Sequence, residues 1–426
     1  MRVLVVGGGG REHAIASTLK RTGDDVEVIC APGNAGIAEI AECVPGVAAD
    51  DVEGLVALAR EREVDLCAVG PEAPLVAGLV DQLEAAGVPA FGPSGEAARL
   101  EGSKLFAKQV MKEARVPTAS HVVLSSMEEA SDHLACASYP AVLKADGLAA
   151  GKGVVICQDE AEARQAAKEF FVEQRFGETQ VVLEEFLDGE ELSLLALCDG
   201  ENVRPLAPAR DFKRIGEGDT GPNTGGMGSY SPVPEIDAGE AERICDLVHR
   251  PVVATMAKRG VPFRGILYAG LMLTADGPKV LEFNTRFGDP ETQAVLPRLE
   301  SDLTGLFLAS REPGGLADVE VSFADDWAVT VVLASAGYPA SSSEGDVIEG
   351  LAQAAGLEGV EVFHAGTTLD EEGRVITAGG RVLAVTGLGA SGQIARARAY
   401  EGAGLIRFDG RQMRGDIAAA LESDAV

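Results

Sequence analysis

The sequence lacks the features that define several protein classes. Its 426 residues include seven cysteines but no CxxC pair, which argues against a zinc site and a disulfide framework. No apolar run approaches the roughly 18 residues that a membrane-spanning helix requires. The first residues, MRVLVVG, form a predicted strand without a basic leader segment. We therefore expect a soluble, cytoplasmic protein that has no contact with a membrane.

Positive charge is also scarce. Ten lysines and 26 arginines face 67 acidic residues, which gives a net charge of −31. Such a surface repels nucleic acids, so we expect no nucleic-acid partner. The acids are dispersed rather than grouped, which favours a solvated surface over a site for a cationic partner. The composition therefore indicates a halophilic source.

The order of predicted elements indicates an α/β and α+β multidomain chain. Strands and helices alternate over residues 1–101, as in a doubly wound, Rossmann-like parallel sheet. Residues 102–310 form a predicted central domain, in which 118–190 read as short strands around one helix and 238–259 as a helix. Residues 311–320 resemble a linker, and 321–426 a small β-rich domain. The 52 glycines and 46% hydrophobic content are typical of an α/β enzyme.

The segment KADGLAAGKGV contains a glycine-rich loop between two predicted strands. It is not a P-loop, because only three residues separate Gly147 from the Gly151-Lys152 pair and Gly153 replaces the metal-binding hydroxyl residue. A strand also follows this loop, whereas a P-loop opens a helix. With Lys144 at the end of the preceding strand, the loop is typical of a flap that covers a polyphosphate.

A second glycine-rich loop, VGGGGREH, lies near the N-terminus. Gly7 and Gly9 match the start of a dinucleotide-binding fingerprint, but Glu12 stands in place of its third glycine. The second predicted strand also lacks an acid to bind a ribose. The loop and Arg11 suit a single phosphate at a helix N-terminus. A tight turn without a ligand is the alternative.

The segment KVLEFNTRFGDPETQ carries the densest group of polar residues. In a strand, Glu282 and Asn284 project to one face and offer the hard oxygen ligands that magnesium accepts. Arg286 is expected to balance charge on a phosphoryl group, and Asp289 and Glu291 follow in a turn. A strand and turn with an ordinary ion pair is the alternative.

Further candidates lie in two nearby segments. Lys104 begins a predicted helix, and VVLEEFLDGEE places glutamates at 184, 185, 190 and 191 beside an apolar strand. Such carboxylates suit ribose hydroxyls or an adenine amine. Taken one at a time, each of these residues is more often solvated surface.

These segments together resemble the ATP-grasp ligases, and within them the phosphoribosylamine–glycine ligase family. The likeness extends almost end to end and includes GGGGREHA, APGNAG, VGPEAPLV, LEGSK, DTGPNTGGMGSYSP, EFNTRFGDPETQ and GGRVLAVT. Gly8, Arg210, Phe212 and Ala418 depart from the family pattern, which usually has Asn, Gln, His and Gly at these positions.

The resemblance implies a central ATP-grasp domain with a mobile lid at 118–190. It also implies a reaction in which glycine is joined to 5-phosphoribosylamine through glycyl phosphate, with ATP cleaved to ADP and phosphate. This is the second step of de novo purine biosynthesis. The implied partners are these small molecules, and we expect a monomer.

Residue roles follow from the resemblance at matching positions. The implied ATP-binding residues are Lys104, Lys144, Gly147, Gly151, Lys152, Gly153, Glu184, Glu185, Leu187 and Glu191. The implied ligands of magnesium or manganese are Glu282 and Asn284. The implied catalytic residues are Arg286, Lys152 and Asp289. The implied substrate-binding residues are Gly9, Gly10, Arg11, Glu72, Asp211, Lys213, Asn223, Gly225 and Asp289.

Two other functions compete with this one. Another ATP-grasp ligase, such as a carboxylase or an amino-acid ligase, would share the ATP-binding residues but not the GPNTGGMG and REHA segments. A regulatory nucleotide-binding protein without catalysis would not need Glu282, Asn284 and Arg286 intact.

The charge balance predicts how salt affects stability. Carboxylates in excess repel one another in the folded state, and added salt shortens the range of that repulsion. We expect the melting temperature to rise between dilute buffer and molar KCl, as measured by differential scanning fluorimetry. A melting temperature that falls steadily with KCl would contradict the halophilic assignment.

Overall fold

The computed structural model describes residues 1–148 and 153–422. Within these ranges no helix is both long enough and apolar enough to cross a membrane. Two residues of the predicted flap, Gly151 and Lys152, lie outside the described residues.

The N-terminal segment forms a five-stranded parallel sheet. The strands are β1 (Arg2–Gly7), β2 (Glu27–Pro32), β3 (Glu42–Cys43), β4 (Leu66–Val69) and β5 (Ala90–Phe91). The helices are α1 (Gly10–Thr22), α2 (Val52–Glu61), α3 (Glu72–Val76), α4 (Leu79–Ala85) and α5 (Gly95–Gly102). The strand order β3-β2-β1-β4-β5 confirms the predicted doubly wound arrangement. Because residues 3–7 of β1 are all buried, helices cover the sheet on both faces.

The next segment forms a small antiparallel sheet with its own apolar core. It contains α6 (Lys104–Ala114), β6 (His121–Leu124), α7 (Met127–Leu134), β7 (Ala141–Ala145), β8 (Val154–Cys157), α8 (Glu160–Phe171) and β9 (Val181–Glu185). The strand order is β6-β9-β7-β8. The prediction of one helix over 118–190 was wrong, because α7 precedes α8. Ser126 caps α7 and Asp159 caps α8, so both helices begin at a recognisable side chain.

A second antiparallel sheet follows, in the order β11-β10-β16-β17. Elements in this part are β10 (Glu190–Asp199), β11 (Val203–Pro205), β12 (Arg210–Asp211), β13 (Arg214–Gly216), β14 (Thr220–Asn223), β15 (Gly228–Ser231), α9 (Ala238–Leu247), α10 (His249–Lys258), β16 (Arg264–Thr274), β17 (Gly277–Asn284), α11 (Glu291–Val295) and α12 (Leu303–Arg311). The single helix predicted at 238–259 is two helices, because the chain departs from helical geometry at Val248.

Strand β10 is buried on both faces, and its side chains alternate between two apolar cores. Leu195 and Leu197 pack with the core under the N-terminal sheet, whereas Leu194 and Ala196 belong to the core shared with the C-terminal region. The alternation explains why LSLLALC reads as one continuous apolar run.

The C-terminal region completes a sheet that starts earlier in the chain. Its elements are β18 (Trp327–Ala334), β19 (Glu344–Val347), α13 (Leu351–Ala355), β20 (Val360–His364), β21 (Thr367–Leu369), β22 (Val375–Ala378), β23 (Arg381–Gly389) and α14 (Gly392–Leu405). The order β12-β15-β18-β23-β20 places two strands from before residue 311 beside three from after it. A separate three-stranded sheet has the order β19-β22-β21.

Residues 312–320 contain no regular element but are firmly attached. Leu316 is fully buried, and its backbone N–H donates to Asp199 Oδ2 at 2.9 Å. Arg204 Nε donates to the carbonyl of Val319 at 2.9 Å. This connection therefore packs against the ends of β10 and β11.

Candidate active site

Glu12, near the start of α1, binds the backbone of the N-terminal glycine loop. Glu12 is 2% exposed, accepts from the Gly9 N–H at 2.7 Å and pairs with Arg11 Nε at 2.5 Å. Arg11 also donates to the carbonyl of Phe287 at 3.2 Å. The amide and the guanidinium that we expected to bind a phosphate thus have partners within the protein. A phosphate would have to compete with Glu12 for them.

Position 8 has no space for a side chain. A Cβ added at Gly8 would lie 2.3 Å from the carbonyl oxygen of Gly33, which is a backbone atom. The side-chain nitrogen of Asn34 donates to the Gly8 carbonyl at 2.8 Å and to that of His364 at 2.7 Å. Asparagine at position 34 therefore holds this loop against β20.

Asp289 lies beside the glycine loop and is held by two side chains. Gln293 Nε2 donates to its Oδ1 at 2.7 Å, and Arg381 contacts its Oδ2 at 3.1 Å. Burial raises the pKa of Asp289, but Arg381 and then Arg11 oppose burial, and the net pKa is lowered. Arg381 also donates to the carbonyl of Gly225 at 2.5 Å. Sequence reasoning missed Arg381, because an arginine that begins a distant strand carries no local signal.

Gly10 adjoins the same group. A Cβ at this position would lie 2.6 Å from Gln293 Nε2, so the loop and α11 are in close contact. Gly9, Gly10, Arg11 and Asp289, all of them predicted substrate-binding residues, therefore lie close together.

Arg286 is buried between two carboxylates from the N-terminal segment. Its NH2 group lies 2.9 Å from Glu101 Oε1, and its Nε lies 3.2 Å from Glu72 Oε2. Glu101 also accepts from the Thr285 N–H at 2.7 Å and from Asn284 Nδ2 at 3.1 Å. One buried carboxylate thus binds three consecutive residues. Sequence reasoning missed Glu101, although it stands in the quoted LEGSK segment.

A bulge in β17 sets the direction of Glu282 and Asn284. The register against β16 shifts by one residue after Val280, so Val280 and Phe283, three positions apart, both face the core. Glu282 and Asn284 therefore share the less buried face. Simple alternation would have placed both on the face of Val280.

The carboxyl of Glu282 is kept ionised by surrounding cations. Burial would raise its pKa, but Lys213, Lys144 and Lys104 outweigh burial and the net pKa is lowered. In the opposite direction, burial lowers the pKa of Lys104, while Glu282 limits the decrease. The strand thus presents a charged oxygen ligand to a cluster of three lysines.

Glu184 lies between two lysines rather than at a free surface. Its side chain is 2% exposed, and its oxygens lie 2.8 Å from Lys108 Nζ and 2.9 Å from Lys144 Nζ. Lys144 also donates to the carbonyl of Leu281, the bulge residue, at 3.0 Å. Lys108 was not predicted. Its spacing of four residues from Lys104 on one helix was the available signal.

The start of the flap is attached to α6. Lys104 Nζ donates to the carbonyl of Gly147 at 2.9 Å, and Ser103 Oγ contacts both oxygens of Asp146 at 3.2 Å. At the other end of the flap, the carbonyl of Gly153 accepts from the Ala145 N–H at 2.8 Å. Lys144, Gly147 and Gly153, three residues of the predicted flap segment, therefore lie where the flap joins β7 and β8.

The connection between β9 and β10 carries an apolar patch and a glutamate. Leu187 is buried with Ala119 and Met272 in a small cluster against which Leu281 packs. Glu185 Oε1 accepts from the Ser120 N–H at 2.9 Å. An apolar wall beside hydrogen-bonding backbone groups suits an aromatic base.

Asp211 and Lys213 form a partly buried charged group with Glu191. Lys213 Nζ lies 2.6 Å from Glu191 Oε2. Burial lowers the pKa of Lys213, but Asp211 and then Glu191 outweigh burial, and the net pKa is raised. Burial raises the pKa of Asp211 to about 8, with Lys213 opposing the increase and Glu291 and Glu191 adding to it. Glu191, which the family resemblance assigns to ATP, contacts Lys213, a predicted substrate residue.

A buried hydroxyl network that the sequence did not reveal supports Asp211. Ser193 Oγ lies 2.9 Å from the hydroxyl of Tyr268, 3.0 Å from Glu291 Oε1 and 3.4 Å from Asp211 Oδ1. Tyr268 in turn donates to Glu291 at 2.9 Å. Strand alternation places Ser193 within an apolar run, and only the paired strand shows what it binds.

Asn223 and Gly225 flank the same group on the next loop. Asn223 ends β14 and is paired with Arg214 of β13, and the N–H of Gly225 donates to the hydroxyl of Tyr338 at 3.0 Å. The predicted substrate residues thus lie between the central sheets and the C-terminal region. The arrangement offers cations for a polyphosphate at one end and paired carboxylates for a cationic group at the other.

Comparison with known proteins agrees with this layout. Sequence profiles of the phosphoribosylglycinamide synthetase N domain, ATP-grasp (A) domain and C domain match residues 1–101, 102–292 and 328–420. Phosphoribosylamine–glycine ligase of Streptomyces coelicolor is 52% identical over 422 residues, covering 98% of this chain and 99% of the relative. That of Pseudomonas aeruginosa is 48% identical, covering 98% of this chain and 97% of the relative.

Solved structures show the same relationship. The crystal structure of phosphoribosylamine–glycine ligase from Thermotoga maritima superposes with a TM-score of 0.84 at 35% identity, covering 98% of this chain and all of the other. Biotin carboxylase from Campylobacter jejuni, at 16% identity and a TM-score of 0.73, covers 99% of this chain and 95% of the other and shares the fold alone. The chain belongs to the phosphoribosylglycinamide synthetase family of ATP-grasp proteins.

Proposed function

We propose that this chain joins glycine to 5-phosphoribosylamine, with ATP cleaved to ADP and phosphate, as the second step of de novo purine biosynthesis. Beyond family membership, one structural observation supports this proposal most directly. Lys104, Lys144, Glu282, Asn284 and Arg286 converge on one cleft, so the described part of the chain supplies cations, oxygen ligands and an arginine for phosphoryl transfer, to which family resemblance adds Lys152.

The reaction has two chemical steps. First, a carboxylate oxygen of glycine attacks the γ-phosphorus of ATP, and the bond to the β–γ bridging oxygen breaks to release ADP. Next, the amine of phosphoribosylamine attacks the carbonyl carbon of glycyl phosphate, phosphate leaves, and the new amide loses a proton. The protein contributes orientation and charge rather than a covalent nucleophile.

Lysines and the small apolar patch would hold ATP. Lys104 and Lys144 lie close enough to Glu282 to act on the same phosphate chain, and Lys152 belongs to this set by family resemblance. Leu187 and the backbone around Glu185 would receive the adenine. Glu184, locked between two lysines, would act on ATP by setting the position of Lys144.

The residues present fit a divalent cation. Glu282 is an ionised oxygen ligand, and Asn284 has its side-chain nitrogen turned toward Glu101, which leaves its oxygen for a metal. Magnesium is typically bound by one or two protein oxygens together with substrate phosphates, and manganese accepts similar ligands. When bound, such an ion would neutralise charge on the phosphates. The described residues contain no group of three or more metal-binding acids, histidines or cysteines, which is consistent with a site completed by ATP.

The other end of the cleft would bind glycine and the amine substrate. Asp211 and Asp289 are the proposed partners of the glycine ammonium, with Lys213, Asn223 and Gly225 around them. Gly9, Gly10, Arg11 and Glu72 would contact the phosphoribosyl group. Since Glu12 already binds Gly9 and Arg11, we infer that the phosphoribosyl phosphate must displace or share those contacts.

The competing functions have less support. Biotin carboxylase from Campylobacter jejuni shares the fold at 16% identity, whereas ligase relatives reach 52%. A regulatory protein without catalysis would not require Arg286 and Glu282 to remain charged and buried together.

We further propose domain boundaries at 1–101, 102–310 and 321–426, with 118–190 as a mobile lid. The separate apolar core of the small antiparallel sheet supports a lid that moves as one unit. We also propose a cytoplasmic, halophilic monomer. The seven free cysteines and the net charge of −31 support this assignment.

The decisive experiment is an assay of ADP release. We expect release that requires both glycine and freshly prepared 5-phosphoribosylamine, and formation of an amide product detected by mass spectrometry. Release that requires bicarbonate instead of glycine would establish the carboxylase alternative. ATP binding without any turnover would establish the regulatory alternative.

Replacement of Glu282 by Gln tests the metal site. The amide keeps the shape of the side chain but weakens one oxygen ligand, so we expect turnover to fall by about 10²–10³-fold while the melting temperature changes little. Steady-state rates measured against magnesium concentration would check this expectation. Near-normal activity at limiting magnesium would contradict the assignment.

Replacement of Glu101 by Gln tests whether one carboxylate positions Asn284 and Arg286. We expect activity to fall by about 10–100-fold, as is typical when a residue that orients metal ligands is changed, and the magnesium requirement to rise. Glu72→Gln is the matched control, because Glu72 contacts Arg286 but neither Thr285 nor Asn284. An equal magnesium effect in both variants would show that Glu101 acts through Arg286 alone.

The raised pKa of Asp211 predicts a pH dependence for glycine. Below a pKa of about 8 the carboxyl is protonated and cannot balance an ammonium group, whereas above it the carboxylate can. We therefore expect KM for glycine to fall as the pH rises from 7 to 9, while KM for ATP changes less. A KM for glycine that is independent of pH over this range would argue against contact with Asp211.

A further inference from the structure

Arg414 is a charged residue that the reaction scheme does not use, although the protein buries it almost completely. It is 1% exposed and lies in residues 414–416, which follow α14. Its Nε and NH2 groups bind the two oxygens of Asp416 at 2.7 Å each, and its NH1 group donates to Asp219 Oδ1 at 2.7 Å. Removing a guanidinium from water costs free energy, and its planar group binds carboxylates in a fixed geometry. We therefore expect Arg414 to hold the residues around it in position.

The contacts of Arg414 lie on both sides of Lys213. Its guanidinium carbon lies 5.1 Å from the centre of the Phe212 ring, and its NH1 group donates to the carbonyl of Arg214 at 3.1 Å. Lys213 stands between these two residues and binds Glu191. The orientation of Lys213 therefore depends on a side chain about 200 residues later in the chain.

Residues 414–416 also form hydrogen bonds with the turn that joins β13 to β14. The Gly218 N–H donates to Asp416 Oδ2 at 2.8 Å, and the Gly415 N–H donates to Glu217 Oε1 at 2.9 Å. Each segment thus gives an N–H group to a carboxylate of the other. Charge-assisted bonds of this kind are stronger and more directional than neutral ones.

The opposite side of this region is fixed by the sheet. The Phe212 N–H donates to the Gly228 carbonyl at 3.0 Å, and Met227 N–H donates to the Phe212 carbonyl at 2.7 Å. The Phe212 ring also packs against Tyr230 at a centroid distance of 6.2 Å. Phe212 is therefore enclosed by β15 on one side and by Arg414 on the other.

We propose that residues 414–416 form a clamp in which Arg414 positions Lys213 and Asp211 for the amino-acid substrate. Arg414 is a positioning residue, because its contacts are with Phe212, Arg214 and acids of the turn. The identity of the substrate in this inference rests on the proposed function. The contacts that form the clamp do not depend on that function. Loss of Arg414 would loosen β13 and β14 and displace Lys213, while the ATP-binding lysines on α6 and β7 remain in place.

The experiment compares Arg414→Met with Arg411→Met in the full chain. Arg411 is the matched control, since it binds the carbonyls of Ala403 and Ile406 and does not contact the turn. We expect Arg414→Met to raise KM for glycine about tenfold, the equivalent of one lost buried cation–π contact, and to leave KM for ATP within about twofold. Arg411→Met should leave both values within about twofold.

A double-mutant cycle with Phe212→Leu tests the contact directly. We expect the effects of Arg414→Met and Phe212→Leu on KM for glycine to be strongly non-additive, because they remove the same contact. Arg414→Lys, which keeps the charge but loses the planar fork, should recover part of the affinity. Additive effects, or an equal increase in KM for ATP and glycine, would overturn the proposal.

Hydrogen exchange separates the clamp from the proposed function. We expect amides of residues 214–223 to exchange faster in Arg414→Met than in the wild type, and at the wild-type rate in Arg411→Met. Unchanged exchange in Arg414→Met would overturn the clamp even if catalysis were affected. Should Arg414→Met fail to fold, Asp416→Asn provides the same comparison, since Asp416 links Arg414 to Gly218. Absence of glycine-dependent ADP release in the wild type would instead refute the proposed function.

Discussion

The cleft depends on the burial of charge in matched pairs drawn from separate parts of the chain. Arg286 follows β17, yet its partners Glu72 and Glu101 come from α3 and α5 of the N-terminal segment. Without these acids the guanidinium of Arg286, which is only 16% exposed, would lose both charged partners, and a largely buried unpaired charge is strongly destabilising. The pairing therefore fixes the central sheet against the N-terminal sheet, and the same bonds set the direction of Asn284.

Charged residues are arranged differently in the cleft and on the surface. In the cleft, cations and acids alternate closely, so Glu282 stays ionised among three lysines and Glu184 lies between two. Over the whole sequence, 67 acidic residues stand against 36 lysines and arginines, so the surface carries an excess of negative charge. Salt acts mainly on the second population, since buried pairs are screened little. A change in salt concentration therefore leaves the electrostatics of the cleft largely unaffected.

The sequence predicted those parts of the site that are local in the chain. Glu282, Asn284 and Arg286 lie within five consecutive positions, so their cooperation was visible from spacing. Strand alternation correctly placed Glu282 and Asn284 on one face, but it did not reveal the bulge after Val280, which makes this face the less buried one. The N-terminal parallel sheet was equally clear from its alternating strands and helices.

Long-range partners were not visible in the same way. Glu101, Arg381 and Tyr268 reach the site from elements far apart in sequence, and no spacing rule connects them. Glu191 was assigned to ATP by family resemblance, and its contact with Lys213, which lies two residues after β12, became apparent only from the structure. The helix α7 was missed because its short, acidic sequence resembles a loop.

The mixed sheet β12-β15-β18-β23-β20 constrains how this chain can be divided. A fragment that ended within residues 312–320 would retain β15 but lose β18, leaving the hydrogen-bonding edge of β15 open to other chains. The apolar core that the central and C-terminal regions share would at the same time lose the residues of β18 and β23. The gene therefore cannot be split at this connection into two independently soluble products, and a fusion partner is better attached at the chain termini than inserted here.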